Sequence, residues 1–317
     1  MKKITLLLTT LLLFGCSNNS NQSTKNDTSI NYSSSQMTEG ELYIKSVTQY
    51  ITYAPVDIEI YMDKVLVDNI DLYYDIIDPS VCEIKDNKVR GLKVGQTTVY
   101  AQTILGQEVS FEVRIKDYTE YIYDRDTRSR EEEWKLKESP KNGTLFIGDS
   151  FFDKFNFWKS FEDDFEDKNC FTMGISGSQS KDWMMVREKL INPVEAKNIV
   201  IHIGTNDIND NSLTKTVEEY YRDITKLLDI ISLENPNANL YYFGIENRVN
   251  NSKNKTCELV TDMIKTEYSK INEKFTYIDS PSVFNSNQDK YMSSDGVHPS
   301  REGYLYYIDV LNNLLDY

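Results

Sequence analysis

Asn198-Ile199-Val200-Ile201-His202-Ile203-Gly204-Thr205-Asn206-Asp207 decides the fold. Residues 199 to 203 are apolar apart from one histidine, and a glycine followed by polar residues stops the run. Continuous rather than alternating hydrophobicity marks a strand covered on both faces. Leu145-Phe146-Ile147-Gly148, Leu240-Tyr241-Tyr242-Phe243-Gly244-Ile245 and Phe275-Thr276-Tyr277-Ile278 repeat the pattern, and Cys170-Phe171-Thr172-Met173 is a fifth candidate. Helical spacing separates these runs. Val217, Tyr220, Ile224, Leu227, Leu228 and Ile231 recur every three to four residues, as do Leu259, Ile264, Tyr268 and Ile271. Tyr304, Tyr307, Ile308 and Leu311 make a last helix, with Ser300 as its N-cap. Strand then helix, repeated over residues 143–317, predicts a parallel sheet between helices, with ligands beyond the carboxyl ends of the strands.

Outward toward the N-terminus the period changes to two. Val56, Ile58 and Ile60 alternate with Asp57 and Glu59, and Thr98 to Ala101 and Val109 to Ile115 read as half-buried strands. Residues 41–117 are therefore expected to form a small β-sandwich. Residues 118–142, charged and Tyr-rich, are the expected connector, with a solvated helix over Arg128 to Lys137. Residues 16–40 are rich in Ser, Asn, Thr and Gln and read as a flexible tether. Residues 1–15 have a basic start and a short apolar core, the pattern of a signal peptide. Leu13-Phe14-Gly15-Cys16 resembles a bacterial lipobox. That resemblance implies cleavage before Cys16, a lipid on Cys16, and an extracytoplasmic, membrane-anchored lipoprotein.

Composition narrows the function. The 317 residues carry a formal net charge of -15. Sequence-independent nucleic-acid binding needs a basic footprint, and electrostatic docking on anionic lipid needs the same. Two histidines exclude a His-rich metal site. Cys82, Cys170 and Cys257 are too scattered for a disulfide scaffold and are expected as buried small hydrophobes.

The chemistry-bearing residues sit where strands end. Gly148-Asp149-Ser150 places a serine at a strand-to-helix turn, where its Oγ is available for attack and its own N–H for oxyanion binding. Met173-Gly174-Ile175-Ser176-Gly177-Ser178 offers a glycine N–H that a substrate can approach closely. Asn206 offers a side-chain amide to a developing negative oxygen. A general base is His202 or His298. His202, in an apolar run, is expected to be a strand histidine satisfied by a backbone partner, so that His202→Gln keeps most activity. His298 lies three residues after Asp295 in a polar loop, and a carboxylate at that spacing can reach Nδ1 and leave Nε2 free. A base imidazole predicts a rate that falls as pH drops; a flat profile between about pH 5 and about 8 would count against it.

Two resemblances follow from these residues. Asp78 to Ile84 with Val89 to Val99 is similar to the second half of a bacterial Ig-like domain of group 2, a spacer or adhesive module, with Tyr73 or Tyr74 in place of the usual Trp. Gly148-Asp149-Ser150, Gly174-Ile175-Ser176-Gly177, Gly204-Thr205-Asn206-Asp207 and Asp295-Gly296-Val297-His298 resemble, in order, the blocks of the SGNH hydrolases, the GDSL-type esterases. The resemblance spans residues 143–317. It implies a three-layer α/β/α flavodoxin-like sandwich and a serine esterase needing no metal or other cofactor. Ser150 would be nucleophile, His298 base, Asp295 orienter, and the Ser150 N–H, Gly177 N–H and Asn206 amide the oxyanion hole. The first block lacks its frequent closing Leu; Phe151 and Phe152 stand there and are expected in the core. Export, tether and spacer then point to acyl, foremost acetyl, esters on an extracellular or cell-wall carbohydrate. A lysophospholipase or thioesterase on lipids and a non-catalytic surface binder are the alternatives.

Overall fold

The computed structural model describes residues 40–67, 70–137, 141–210 and 215–317. The signal peptide, Cys16 and nearly all of the tether lie outside them.

Five strands form the parallel sheet: β1 (Thr144–Gly148), β2 (Cys170–Thr172), β3 (Asn198–His202), β4 (Asn239–Phe243) and β5 (Phe275–Ile278). Their order is β2-β1-β3-β4-β5, with every pairing parallel. This is the flavodoxin-like order, and it reverses direction between β1 and β3. The crevice outside those two strand ends is where such a sheet binds its ligand.

Each strand feeds two cores. Leu145 and Ile147, Ile199 and Ile201, and Leu240 and Tyr242 face one side. They pack there on helices α2 (Ser180–Leu190), α4 (Val217–Glu234) and α5 (Asn254–Thr266). Phe146, Val200 and Phe243 face the other side, against Trp158, Phe161 and the Tyr304, Tyr307 and Leu311 face of α6 (Arg301–Leu314). Burial on both faces is why these strands are apolar throughout, and the result is three layers. Ser300 caps α6, its Oγ accepting from the Gly303 N–H at 3.2 Å. Of the stripe expected around α5, Ile264 and Tyr268 are buried as expected. Leu259 is 41% exposed, its place in the core taken by Cys257 and Val260, and Ile271, beyond the helix end at Thr266, is 73% exposed.

Residues 40–116 build a small β domain. Val47–Tyr50, Glu108–Lys116, Gly95–Thr103 and Leu72–Ile76 form a four-stranded sheet in that order, flanked by two three-stranded sheets. Val99, Ala101, Phe111, Val113 and Ile115 line its core at alternate positions, as period two requires. Val56 to Ile60 is not one strand. Val56–Asp57 pairs with one small sheet and Ile60–Met62 with the other, and buried Ile58 bridges them. Cys82 and Cys257 are buried; Cys170, at the sheet edge, is only partly so.

The expected solvated helix is instead docked. α1 (Asp124–Leu136) buries Asp124, Thr127 and Arg130. Arg130 donates from Nη2 and Nε to the Gly174 carbonyl at 3.1 and 3.3 Å and lies 3.5 Å from Asp153. A guanidinium can leave water only with its donors and charge satisfied, and these contacts provide both.

Candidate active site

β1 ends on a glycine for a steric reason. A Cβ on Gly148 would stand 2.0 Å from the His202 carbonyl oxygen, so only glycine lets β1 and β3 close at their carboxyl ends. Ser150 follows in a single tight turn, Ser150–Phe152, which Asp149 caps by accepting from the Phe151 N–H at 3.1 Å. Phe151 and Phe152 are in the core, where the sequence placed them.

Across the crevice, His298 Nε2 lies 2.7 Å from Ser150 Oγ, and His298 Nδ1 lies 2.7 Å from Asp295 Oδ2. The other Asp295 oxygen accepts from the His298 and Val297 N–H groups at 2.9 and 2.8 Å and from Ser293 Oγ at 2.7 Å. Partial burial pushes the Asp295 carboxyl up. The hydrogen bonds from His298, Val297 and Ser293 outweigh it and hold the group well below the usual carboxylate range. An ionised Asp295 draws the proton onto Nδ1 and leaves Nε2 an acceptor facing the serine hydroxyl. Phe157 stacks on the imidazole with ring centroids 3.6 Å apart and restricts its rotation. The loop is pinned from outside by the Val249 N–H, which donates to the Gly296 carbonyl at 2.8 Å.

Two further elements meet Ser150 from the other side. The Ile175 N–H and Ser178 Oγ both donate to the Gly148 carbonyl, at 2.9 and 3.2 Å, and bring the Ile175–Ser178 turn against β1. Gly177 sits in that turn with φ +83°, a left-handed conformation that favours glycine. Gly174 serves packing instead, because a Cβ there would meet the Phe152 carbonyl carbon at 2.2 Å. Asn206 lies in the short helix α3 (Thr205–Asn209) after β3. Its Nδ2 donates to the Ser178 carbonyl at 3.1 Å and its Oδ1 accepts from Arg248 Nη2 at 3.3 Å. The amide is thereby fixed, with a second N–H on Nδ2 still to give. Ser150, His298 and Asp295 thus meet at the carboxyl end of β1, and Asn206 is tied to the turn that carries Gly177 through the Ser178 carbonyl.

His202 does something other than expected. It is fully buried, and its partners are carboxylates, not backbone. Nδ1 lies 3.2 Å from Asp149 Oδ1 and Nε2 lies 2.9 Å from Glu246 Oε2. Glu246 also accepts from Ser280 Oγ at 2.5 Å and Tyr307 Oη at 2.6 Å. Phe151 stacks on the His202 ring at 3.9 Å. Burial alone would lower this imidazole's pKa; the two carboxylates outweigh it and push it up to about 10. That direction favours the imidazolium, and both ring nitrogens are held by carboxylates, which leaves neither for Ser150. Sequence reasoning missed this partner set, and it missed Arg248 and Phe157. The nearest signal for the first was Glu246 directly after the apolar run of β4.

The model of the GDSL-like lipase/acylhydrolase family matches residues 146–305. No curated protein matches the sequence. Among solved structures, the chain is similar to a Streptococcus pneumonia protein described as a platelet activating factor, at 17% identity and a TM-score of 0.50, over 60% of this chain and 91% of that one. It is also similar to a GDSL-like lipase from Bacteroides thetaiotaomicron, at 18% identity and a TM-score of 0.48, over 59% and 95%. An acetylxylan esterase from Geobacillus stearothermophilus matches at 19% identity and a TM-score of 0.44, over 56% and 96%. At 17% identity and a TM-score of 0.50, the first of these is a likeness of fold.

Proposed function

The chain belongs to the GDSL-like lipase/acylhydrolase family of ester hydrolases, and on that premise we propose that Ser150, His298 and Asp295 cleave acyl esters through an acyl-serine intermediate. The observation that carries this is the continuous hydrogen-bonded line from Asp295 through His298 to Ser150, 2.7 Å at each step. Ser150 Oγ attacks the acyl carbon while its proton passes to His298 Nε2, and Asp295 stabilises the imidazolium. The carbonyl oxygen gains the charge and is met by the Ser150 N–H, the Gly177 N–H and the free N–H of the Asn206 amide. Collapse expels the alcohol, which takes the proton from Nε2. Water, deprotonated by the same nitrogen, then releases the acid and the free serine.

The substrate in this proposal is a small acyl ester, acetyl foremost, on an extracellular or cell-wall carbohydrate. The protein would be tethered by a lipid on Cys16, with residues 41–117 as an Ig-like spacer. The lipobox-like start, the polar tether and the β domain support the placement. Phe157, stacked on the His298 ring beside the nucleophile, supports the small acyl group by narrowing the space next to the base. The test is a p-nitrophenyl ester series from acetate to long chains. The expected result is the highest kcat/KM on acetate, falling with chain length. A rise with chain length would replace this substrate by a lipid, and no rate on any ester would leave a binding protein.

A further inference from the structure

The hollow beside Asn206 is lined by cations although the chain as a whole is acidic. Asn209, Arg248, Asn250, Asn251, Ser252 and Lys253 line about 260 Å³ whose walls are almost wholly polar. Two of the six residues are cations, and no carboxylate is among them, in a chain with a formal net charge of -15. Neither Arg248 nor Lys253 forms an ion pair among the described residues, and the buried Nε of Arg248 has no hydrogen-bond partner. Lys253 is moreover the N-cap of α5, and that helix start has no side-chain cap. A helix N-terminus carries partial positive charge and orphan N–H groups, so a lysine there is placed against the dipole. Two cations and a helix start therefore border one small hollow whose own lining carries no carboxylate, the nearest negative charges felt by Arg248 being those of Asp149 and Asp295 outside it.

The lining is held in place rather than loose. Asn254 Oδ1 accepts from the Arg248 N–H at 3.0 Å, and Asn254 Nδ2 donates to the Arg248 carbonyl at 2.8 Å. Asn251 Nδ2 donates to Asn209 Oδ1 at 2.9 Å, and Asn251 Oδ1 accepts from the Lys253 N–H at 2.7 Å. The Arg248 side chain joins the hollow to the site, since its Nη2 is the group that holds Asn206 Oδ1.

We propose that this hollow is the subsite for an anionic group of the substrate, a carboxylate or a phosphate, borne by the same molecule as the scissile ester. Arg248 supplies the N–H groups of its Nη atoms that remain beside the Nη2–Asn206 bond, Lys253 a point charge, and Asn250 and Asn251 neutral donors. The substrate class is then an acylated acidic glycan or an acylated polyol phosphate, not a neutral ester. This rests on the esterase reading above.

Three matched aryl acetates test it: methyl 4-acetoxybenzoate, 4-acetoxybenzoate and 4-acetoxyphenyl phosphate, each rate normalised to its uncatalysed hydrolysis. The wild-type protein is expected to favour a charged ester over the neutral one by about tenfold or more in kcat/KM, mainly through KM, and less so at high salt. The better of the two anions names the source. In Arg248→Gln the rate on every ester drops, because Asn206 loses its hold, but the charged-to-neutral ratio also falls toward one. Lys253→Gln, which does not touch Asn206, lowers the ratio by a smaller factor. A ratio near one in the wild type, or a ratio that neither variant moves, overturns the subsite while leaving the esterase intact. No hydrolysis of any of the three overturns the esterase reading and the subsite with it.

Discussion

Ser150→Ala is expected to slow ester hydrolysis by roughly 10³- to 10⁶-fold while leaving the fold in place. Ser150 Oγ is the atom that faces His298 Nε2, so its removal takes away both the nucleophile and the proton that the base collects. Residual catalysis would come from the oxyanion donors and binding alone. The structural cost is small. The substitution deletes one hydroxyl from a site already 8% exposed, and one lost hydrogen bond is worth about 1 kcal/mol. Initial rates on p-nitrophenyl acetate, beside a melting curve that shifts by only a few degrees, check both halves. A variant that melts normally and retains a tenth of the wild-type rate would move the nucleophile elsewhere.

His202→Gln is expected to do the reverse, costing stability more than chemistry. The imidazolium lies between Asp149 and Glu246 in a fully buried setting, and it donates to both. Glutamine brings no charge, so two buried carboxylates would face each other uncompensated. Losing one member of such a set costs about 3–5 kcal/mol. The difference also depends on pH. The folded-state pKa of His202 is raised, to about 10, so its contribution is fully present below the unfolded-state value of about 6.5 and is lost as pH rises through about 10. The stability gap between wild type and variant should therefore be widest below about pH 6.5 and narrow progressively toward about pH 10. Urea melts of both proteins at several pH values measure it. The folded fraction should still hydrolyse esters far faster than Ser150→Ala, because both His202 nitrogens are turned away from the serine. A gap that does not change with pH would mean that His202 is neutral in the folded protein.

The contrast between the two histidines shows what a sequence can carry. The Asp295–His298 contact spans three residues and falls in one polar loop, so it was legible. The same imidazole reaches Ser150 across 148 positions, and only the order of strand ends hinted at that meeting. The strands were legible because burial on both faces leaves no polar residue to interrupt Ile199 to Ile201 or Leu145 to Ile147. His202 was misjudged because its partners arrive from β1 and from beyond β4, and no periodicity records which chain ends adjoin. Arg130 reads as one more charge on a polar helix; only the Gly174 carbonyl and Asp153 beneath it explain its burial. Arg248 sits in an Asn-rich loop that looks like ordinary punctuation, and its meaning lies in Asn206, 42 positions away.

The most direct test of the central claim is covalent trapping. The protein is incubated with diisopropyl fluorophosphate, which phosphorylates an activated serine, and is then digested and mapped by mass spectrometry. One stoichiometric adduct is expected on Ser150, formed in step with loss of esterase activity and absent when His298 is replaced. An adduct on another serine, or full inactivation with Ser150 unmodified, would contradict it.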